Sequence, residues 1–122
     1  MYLVGKEHPN RERTAAMLRE AVARQERLVT SAEGHQEILH RYRGLDRLDL
    51  AGEAIRLLDE LVDEVFAVDV SDVRAARGVL TEAPGVSSRD ALHIAVMRRS
   101  QVDIVMSFDS GFDAVSRIQR RS

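Results

Sequence analysis

Three acidic side chains, Glu37, Asp90 and Asp109, stand at points of this 122-residue chain where an α/β architecture would collect reactive groups. Asp90 opens an apolar helical pattern in "SSRDALHIAVMRRS", and Asp109 ends an apolar strand pattern in "VDIVMSFD". They are 109 − 90 = 19 residues apart, the length of a helix, a turn and a strand. In a right-handed β-α-β unit that length returns the chain to the sheet rim from which the helix started. Glu37 comes after the apolar run "RLVTSA", residues 27 to 32, in the first turns of the next helical pattern, which puts it above the same carboxyl edge. Clustered carboxylates repel one another unless a cation neutralises them. With no cysteine in the chain, an oxygen-donor site of this kind favours Mg²⁺ or Mn²⁺. Such an ion activates water and neutralises charge building on a phosphate. Taken singly, each acid also has an ordinary reading: Asp90 as a partner of the helix N-terminus, Asp109 in an Asx-turn, Glu37 as a solvated helix side chain.

The elements that must position these acids read as alternating helices and strands. "HPNRERTAAMLREAVARQ" predicts a helix over residues 10 to 25 with Ala16, Leu18 and Val22 on its apolar face. "RLVTSA" predicts a buried strand, and "AEGHQEILHRYRG" a helix closed near Gly44. "DLAGEAIRLLDELVDEV" is the longest amphipathic pattern, with Ala54, Leu57, Leu58 and Leu61 on one side. "VFAVDV", residues 65 to 70, predicts another strand, and Ser71 a cap for the next helix. "VDIVMSF" is a buried strand, and "SRIQRR" a short edge strand. Strands separated by helices pair in parallel through crossovers, so the chain is α/β, one domain over residues 1–122, with its ligand site at the carboxyl ends of the strands.

Composition narrows the function classes. The chain is 44% hydrophobic, 31% charged and only 4% aromatic, so aliphatic side chains fill the core. No apolar run approaches the length of a membrane span and no secretory signal opens the chain, which predicts a cytoplasmic protein. A net charge of −2 argues against coating nucleic acid through bulk positive charge, although a basic rim around an acidic cleft remains compatible with a nuclease. Lys6 is the only lysine; arginine, suited to bidentate phosphate contacts, supplies the rest of the positive charge. Arg41, Arg43, Arg89, Arg98 and Arg99 are the candidates for contacting RNA or the acids of a protein partner. Neither a Gly-rich phosphate loop nor a Ser-His-Asp arrangement is present. His8, His35, His40 and His93 lack metal-ligand spacing relative to one another; His93, one helical turn after Asp90, is within reach of the site, although such a residue more often packs beneath it.

Joint motif spacing resembles the PIN-domain family, and within it the VapC toxins of type II toxin-antitoxin systems. "TSAEGHQEILHRY" looks like the second motif of that family, with Glu37 acidic, and "SSRDALHIAVMRRSQVDIVMSFDSGF" like the third and fourth, with Asp90 and Asp109. "GKEHPNRE" is similar to a stretch common after the first motif. The resemblance implies an α/β/α sandwich around a central parallel sheet and a metal-dependent endoribonuclease toxin neutralised by a VapB-type antitoxin. It also implies Glu37, Asp90 and Asp109 as catalytic residues holding Mg²⁺ or Mn²⁺, Asp113 as a further acid, Ser107 as a supporting hydroxyl, and a homodimer. The family's opening strand and its terminal aspartate have no counterpart in "MYLVGKEHP", which looks like the segment just after that first motif. The expectation is therefore a sheet without its first strand, in a chain whose assigned start lies downstream of the true one. The missing acid also raises an alternative: a PIN-like protein that still binds antitoxin or RNA but is impaired in hydrolysis.

Overall fold

The computed structural model describes residues 1–5 and 11–122. His8, most of "GKEHPNRE" and the predicted helix start at residue 10 lie outside the described residues. Five short strands, β1 (Tyr2–Leu3), β2 (Val29–Ser31), β3 (Glu64–Phe66), β4 (Ile104–Met106) and β5 (Gln119–Arg121), form one sheet in the order β3-β2-β1-β4-β5. Every pairing is parallel. The helices α1 (Arg11–Ala23), α2 (Ala32–Gly44), α3 (Leu48–Leu61), α4 (Val70–Glu82) and α5 (Ser88–Arg99) make the connections, with a 3₁₀ turn at Ser110–Ala114 before β5. No described helix is long and apolar enough to cross a membrane.

One expectation is corrected at the centre of the sheet. The first strand is not missing: Tyr2 pairs with Val29 of β2 on one side and Val105 of β4 on the other, and Leu3 pairs with Met106. The backbone groups of β2 and β4 that an empty centre would leave unbonded are thus engaged, and Thr30 Oγ1 adds a bond by donating to the Leu3 carbonyl at 2.6 Å. Residues 1 to 4 are all buried, and their period-two alternation explains why so short a segment can serve. Tyr2 and Val4 face a cluster with Val29, Val105, Ala76, Val79, Ile94 and Val96, under α4 and α5. Met1 and Leu3 face a second cluster with Ala21, Leu28 and Met106, under α1 and α3. The result is the α/β/α layering expected.

Local details shift by a few residues for identifiable reasons. In α1 the inward residues are Met17, Leu18 and Ala21, while Ala16 and Val22 are exposed. In α3 Ala51, Leu58 and Leu61 turn inward and Leu57 is 52% exposed. The cap of α4 is Asp69 rather than Ser71, because Asp69 accepts from Ser71 N and Asp72 N while Asp72 accepts from Asp69 N, a reciprocal capping box. Gly44 stays helical, and the chain reverses instead at Asp46, whose φ of 54° is left-handed, a conformation aspartate tolerates better than most residues.

Candidate metal centre

Strand order reverses at β1, with β2 and β3 on one side and β4 and β5 on the other. A reversal of this kind opens a crevice at the carboxyl ends of the strands. Gly5 leads from β1 into that crevice and passes so close to α2 that a Cβ on it would lie 1.9 Å from the Gly34 carbonyl oxygen. Only glycine permits this approach, and it lets Gly5 N–H donate to Glu37 Oε1 at 3.0 Å. From the other side α5 begins at the N-cap Ser87, whose Oγ accepts from Asp90 N–H at 3.1 Å. Asp90 and His93, three positions apart, share one face of α5.

Glu37, Asp90 and His93 each offer a ligand atom here, and these atoms lie within 4.8 Å of one another. All three residues are buried, at 3%, 3% and 0% exposure. His93 Nε2 lies 2.6 Å from Glu37 Oε1, and His93 Nδ1 lies 2.5 Å from the Tyr2 hydroxyl. That hydroxyl lies 2.7 Å from Ser31 Oγ, which also accepts from Glu33 N–H at the start of α2. Burial pushes the Tyr2 phenol well above its ordinary pKa, so it keeps its proton. Glu37 Oε2, by contrast, is buried with no hydrogen-bond partner among the described residues. A buried carboxylate oxygen without a donor is costly, and a divalent cation would remove that cost. The carboxylates of Glu37 and Asp90 therefore fit a divalent metal ion.

The remaining predicted residues lie around this centre. Asp109 caps the 3₁₀ turn at the carboxyl end of β4, exposed, with Oδ1 accepting from Gly111 N–H at 2.8 Å. Ser107 is buried, and its Oγ accepts from Asp109 N–H at 3.0 Å, so this hydroxyl fixes the backbone that carries the carboxylate. Asp113 is exposed and held in a two-point pair by Arg120 at 2.9 and 3.0 Å, which keeps its carboxyl below the ordinary value. Arg41, one turn beyond Glu37, lines a groove of about 200 Å³ with Val4, Gly5 and Ile38. Arg43 and Arg89 are exposed. Arg98 pairs with Glu82, and Arg99 with the buried Asp72, in the last turn of α5, away from Asp90.

The structure thus brings Glu37 and Asp90 together and sets Asp109 on the exposed rim. It adds two side chains that sequence reasoning does not assign to the site. His93 is packed as expected, yet it also bonds Glu37; its position one turn after Asp90 is the available signal. Tyr2 carries no signal, because a strand of two residues has no period to read.

Comparison with known proteins places the chain in a family. A PIN domain model matches residues 1–118. The chain belongs to the PIN-domain family. Among curated relatives of this PIN domain, the ribonuclease VapC13 of Mycobacterium tuberculosis is 43% identical over 120 residues, spanning 98% of this chain and 92% of that protein. Among solved structures, VapC20 of the same species, described as a sarcin-ricin loop cleaving toxin, superposes with a TM-score of 0.69 at 19% identity over 93% of this chain and 92% of that one. VapBC2 from Rickettsia felis, solved with a DNA fragment from its promoter, gives 0.71 at 9% identity over 98% and 96%. At such identities the two structures speak to the fold, and both support the parallel α/β/α arrangement.

Proposed function

We propose that this chain is a VapC-type ribonuclease, a toxin whose cleavage of RNA depends on Mg²⁺ or Mn²⁺ held by Glu37, Asp90 and Asp109. The observation that carries the reading is the buried approach of Glu37 and Asp90, their ligand atoms within 4.8 Å of one another at the sheet's reversal point, with Glu37 Oε2 lacking any donor among the described residues. A relative 43% identical along almost the whole chain is named as a ribonuclease, which supports the same reaction class. When bound, the cation would supply an activated water and neutralise charge on the scissile phosphate. Glu37 and Asp90 provide rigid, desolvated oxygens from two helices, and Asp109 provides a carboxylate from the solvent side, on a turn fixed by Ser107. Asp113, engaged by Arg120, serves as an outer acid. Arg41, which lines a groove with Gly5, and the exposed Arg43 and Arg89 would supply contacts for an RNA backbone or for the acids of a VapB-type antitoxin, in a cytoplasmic homodimer.

A second reading, a PIN-like protein that binds without cleaving, draws on one observation. The described residues just beyond the central strand carry no acid to match that of the family's first motif: Gly5, which follows β1 into the crevice, has no room for a side chain against the Gly34 carbonyl. Induced expression in a bacterial host separates the readings. The ribonuclease reading expects growth arrest with RNA fragmentation, relieved by Asp90→Asn and by a co-expressed antitoxin. Arrest undiminished in Asp90→Asn contradicts it.

A further inference from the structure

The two oxygens of Glu37 have different surroundings. Oε1 receives two contacts, from Gly5 N–H at 3.0 Å and from His93 Nε2 at 2.6 Å, whereas Oε2 receives none among the described residues. His93 has a hydrogen-bonding neighbour at each ring nitrogen. Tyr2 keeps its proton, and His93 Nδ1 lies 2.5 Å from the Tyr2 oxygen. Ser31 Oγ accepts from Glu33 N–H and has its own proton left to give to the Tyr2 oxygen. An arrangement in which Ser31 donates to Tyr2, Tyr2 to His93 Nδ1 and His93 Nε2–H to Glu37 Oε1 satisfies every group in the chain. Every member is buried, with Ser31, Tyr2 and His93 at 0% exposure, so water does not compete for these bonds.

We infer that His93 is a positioning residue for Glu37: with Gly5 it anchors Oε1 and so reserves Oε2 for the cation, its own orientation being fixed by Tyr2 and Ser31. The inference rests on the proposed metal reading and adds a function for a side chain that would otherwise count as core. A ligating carboxylate locked by a donor loses less freedom on binding metal than a free one, and loss of such an outer partner lowers metal affinity about 10- to 100-fold. His93 is therefore not itself a ligand. Its nitrogen is used up in holding the oxygen beside it.

The test measures Mn²⁺ binding by electron paramagnetic resonance, with thermal unfolding of the metal-free proteins alongside, for the unaltered chain and for Glu37→Gln, His93→Gln and His93→Leu. His93→Gln places an N–H donor near the position of Nε2 and is expected to bind Mn²⁺ within about 3-fold of the unaltered chain, well short of the loss that removal of an outer partner brings. His93→Leu, compared at a temperature where it is folded, is expected to bind about 10-fold or more weakly, in the range for a lost outer partner. Equal weakening in His93→Gln and His93→Leu would make His93 a ligand and overturn the positioning role. Undiminished binding in His93→Leu overturns it too, while loss in Glu37→Gln would leave the metal reading standing. No Mn²⁺ binding by the unaltered chain sinks both. Nitrogen-15 resonances of the unaltered metal-free protein decide the matter if His93→Leu does not fold: a proton on Nε2 supports the assignment, and a bare Nε2 overturns it.

Discussion

Tyr2→Phe removes one oxygen from the middle of the sheet and leaves a ring of the same shape at a fully buried position. That oxygen contacts both Ser31 Oγ at 2.7 Å and His93 Nδ1 at 2.5 Å. The two losses are unequal. Ser31 Oγ still accepts from Glu33 N–H at 3.3 Å, so only its proton needs a new acceptor. His93 Nδ1, fully buried, loses the hydroxyl that satisfies it, and a buried polar atom left unsatisfied costs about 1–3 kcal/mol. For a chain of this size that corresponds to a fall in melting temperature of roughly 4–12 °C. The assay is thermal and urea unfolding monitored by circular dichroism, with an unchanged urea slope expected because no extra surface is exposed. Tyr42→Phe is the control. Tyr42 is half-buried and stacked by Arg41 at 5.2 Å, so this change should move stability by no more than about 0.5 kcal/mol. Equal stability of Tyr2→Phe and the unaltered chain, or equal damage from Tyr42→Phe, would refute the reasoning that a hydrogen-bonded chain runs from Ser31 to Glu37.

The same contacts set other expected outcomes. Gly5→Ala forces its Cβ against the Gly34 carbonyl, and overpacking of this kind costs about 1–3 kcal/mol; the Gly5 to Glu37 bond should open as well, weakening Mn²⁺ binding measured by calorimetry. Arg99→Gln strips the buried Asp72 of a two-point partner at 2.7 and 3.1 Å, and because Asp69 N–H still reaches Asp72 the expected loss in urea unfolding is about 1–3 kcal/mol. Glu82, beside Arg98 and Ser116, has its pKa lowered from 4.5 to about 2, so the unfolded chain takes up that proton first; its contribution is complete above about pH 4.5 and is lost as pH falls toward 2. Unfolding free energies of Glu82→Gln against pH should therefore show a shallower acid limb than those of the unaltered chain.

Much of the fold is legible in the periodicities of the sequence. Apolar runs at 27–32 and 102–108 correspond to β2 and β4; the caps Ser31 and Ser87 of α2 and α5 are seen in the structure. Glu37 is legible because β2 leads directly into α2, and Asp90 because a helix start, a turn and a strand separate it from Asp109. The central strand is not, since four residues carry too little alternation to be recognised alone; its identity comes from the two neighbours that pair with Tyr2. For the same reason the link from Tyr2 to His93 spans 91 positions and leaves no local trace. Val22 and Leu57 lie outside the buried faces of their helices because periodicity names an apolar stripe without saying which edge of it the sheet covers.

RNA cleavage by purified protein is the most direct test of the central claim. The unaltered chain, Glu37→Gln and Asp90→Asn would each be incubated with structured RNA in Mn²⁺, in Mg²⁺ and in chelator, after circular dichroism has shown all three folded. The account predicts cleavage by the unaltered chain in the presence of metal, none in chelator, and none by either variant. Cleavage that survives chelation, or that either variant performs as well, would contradict it.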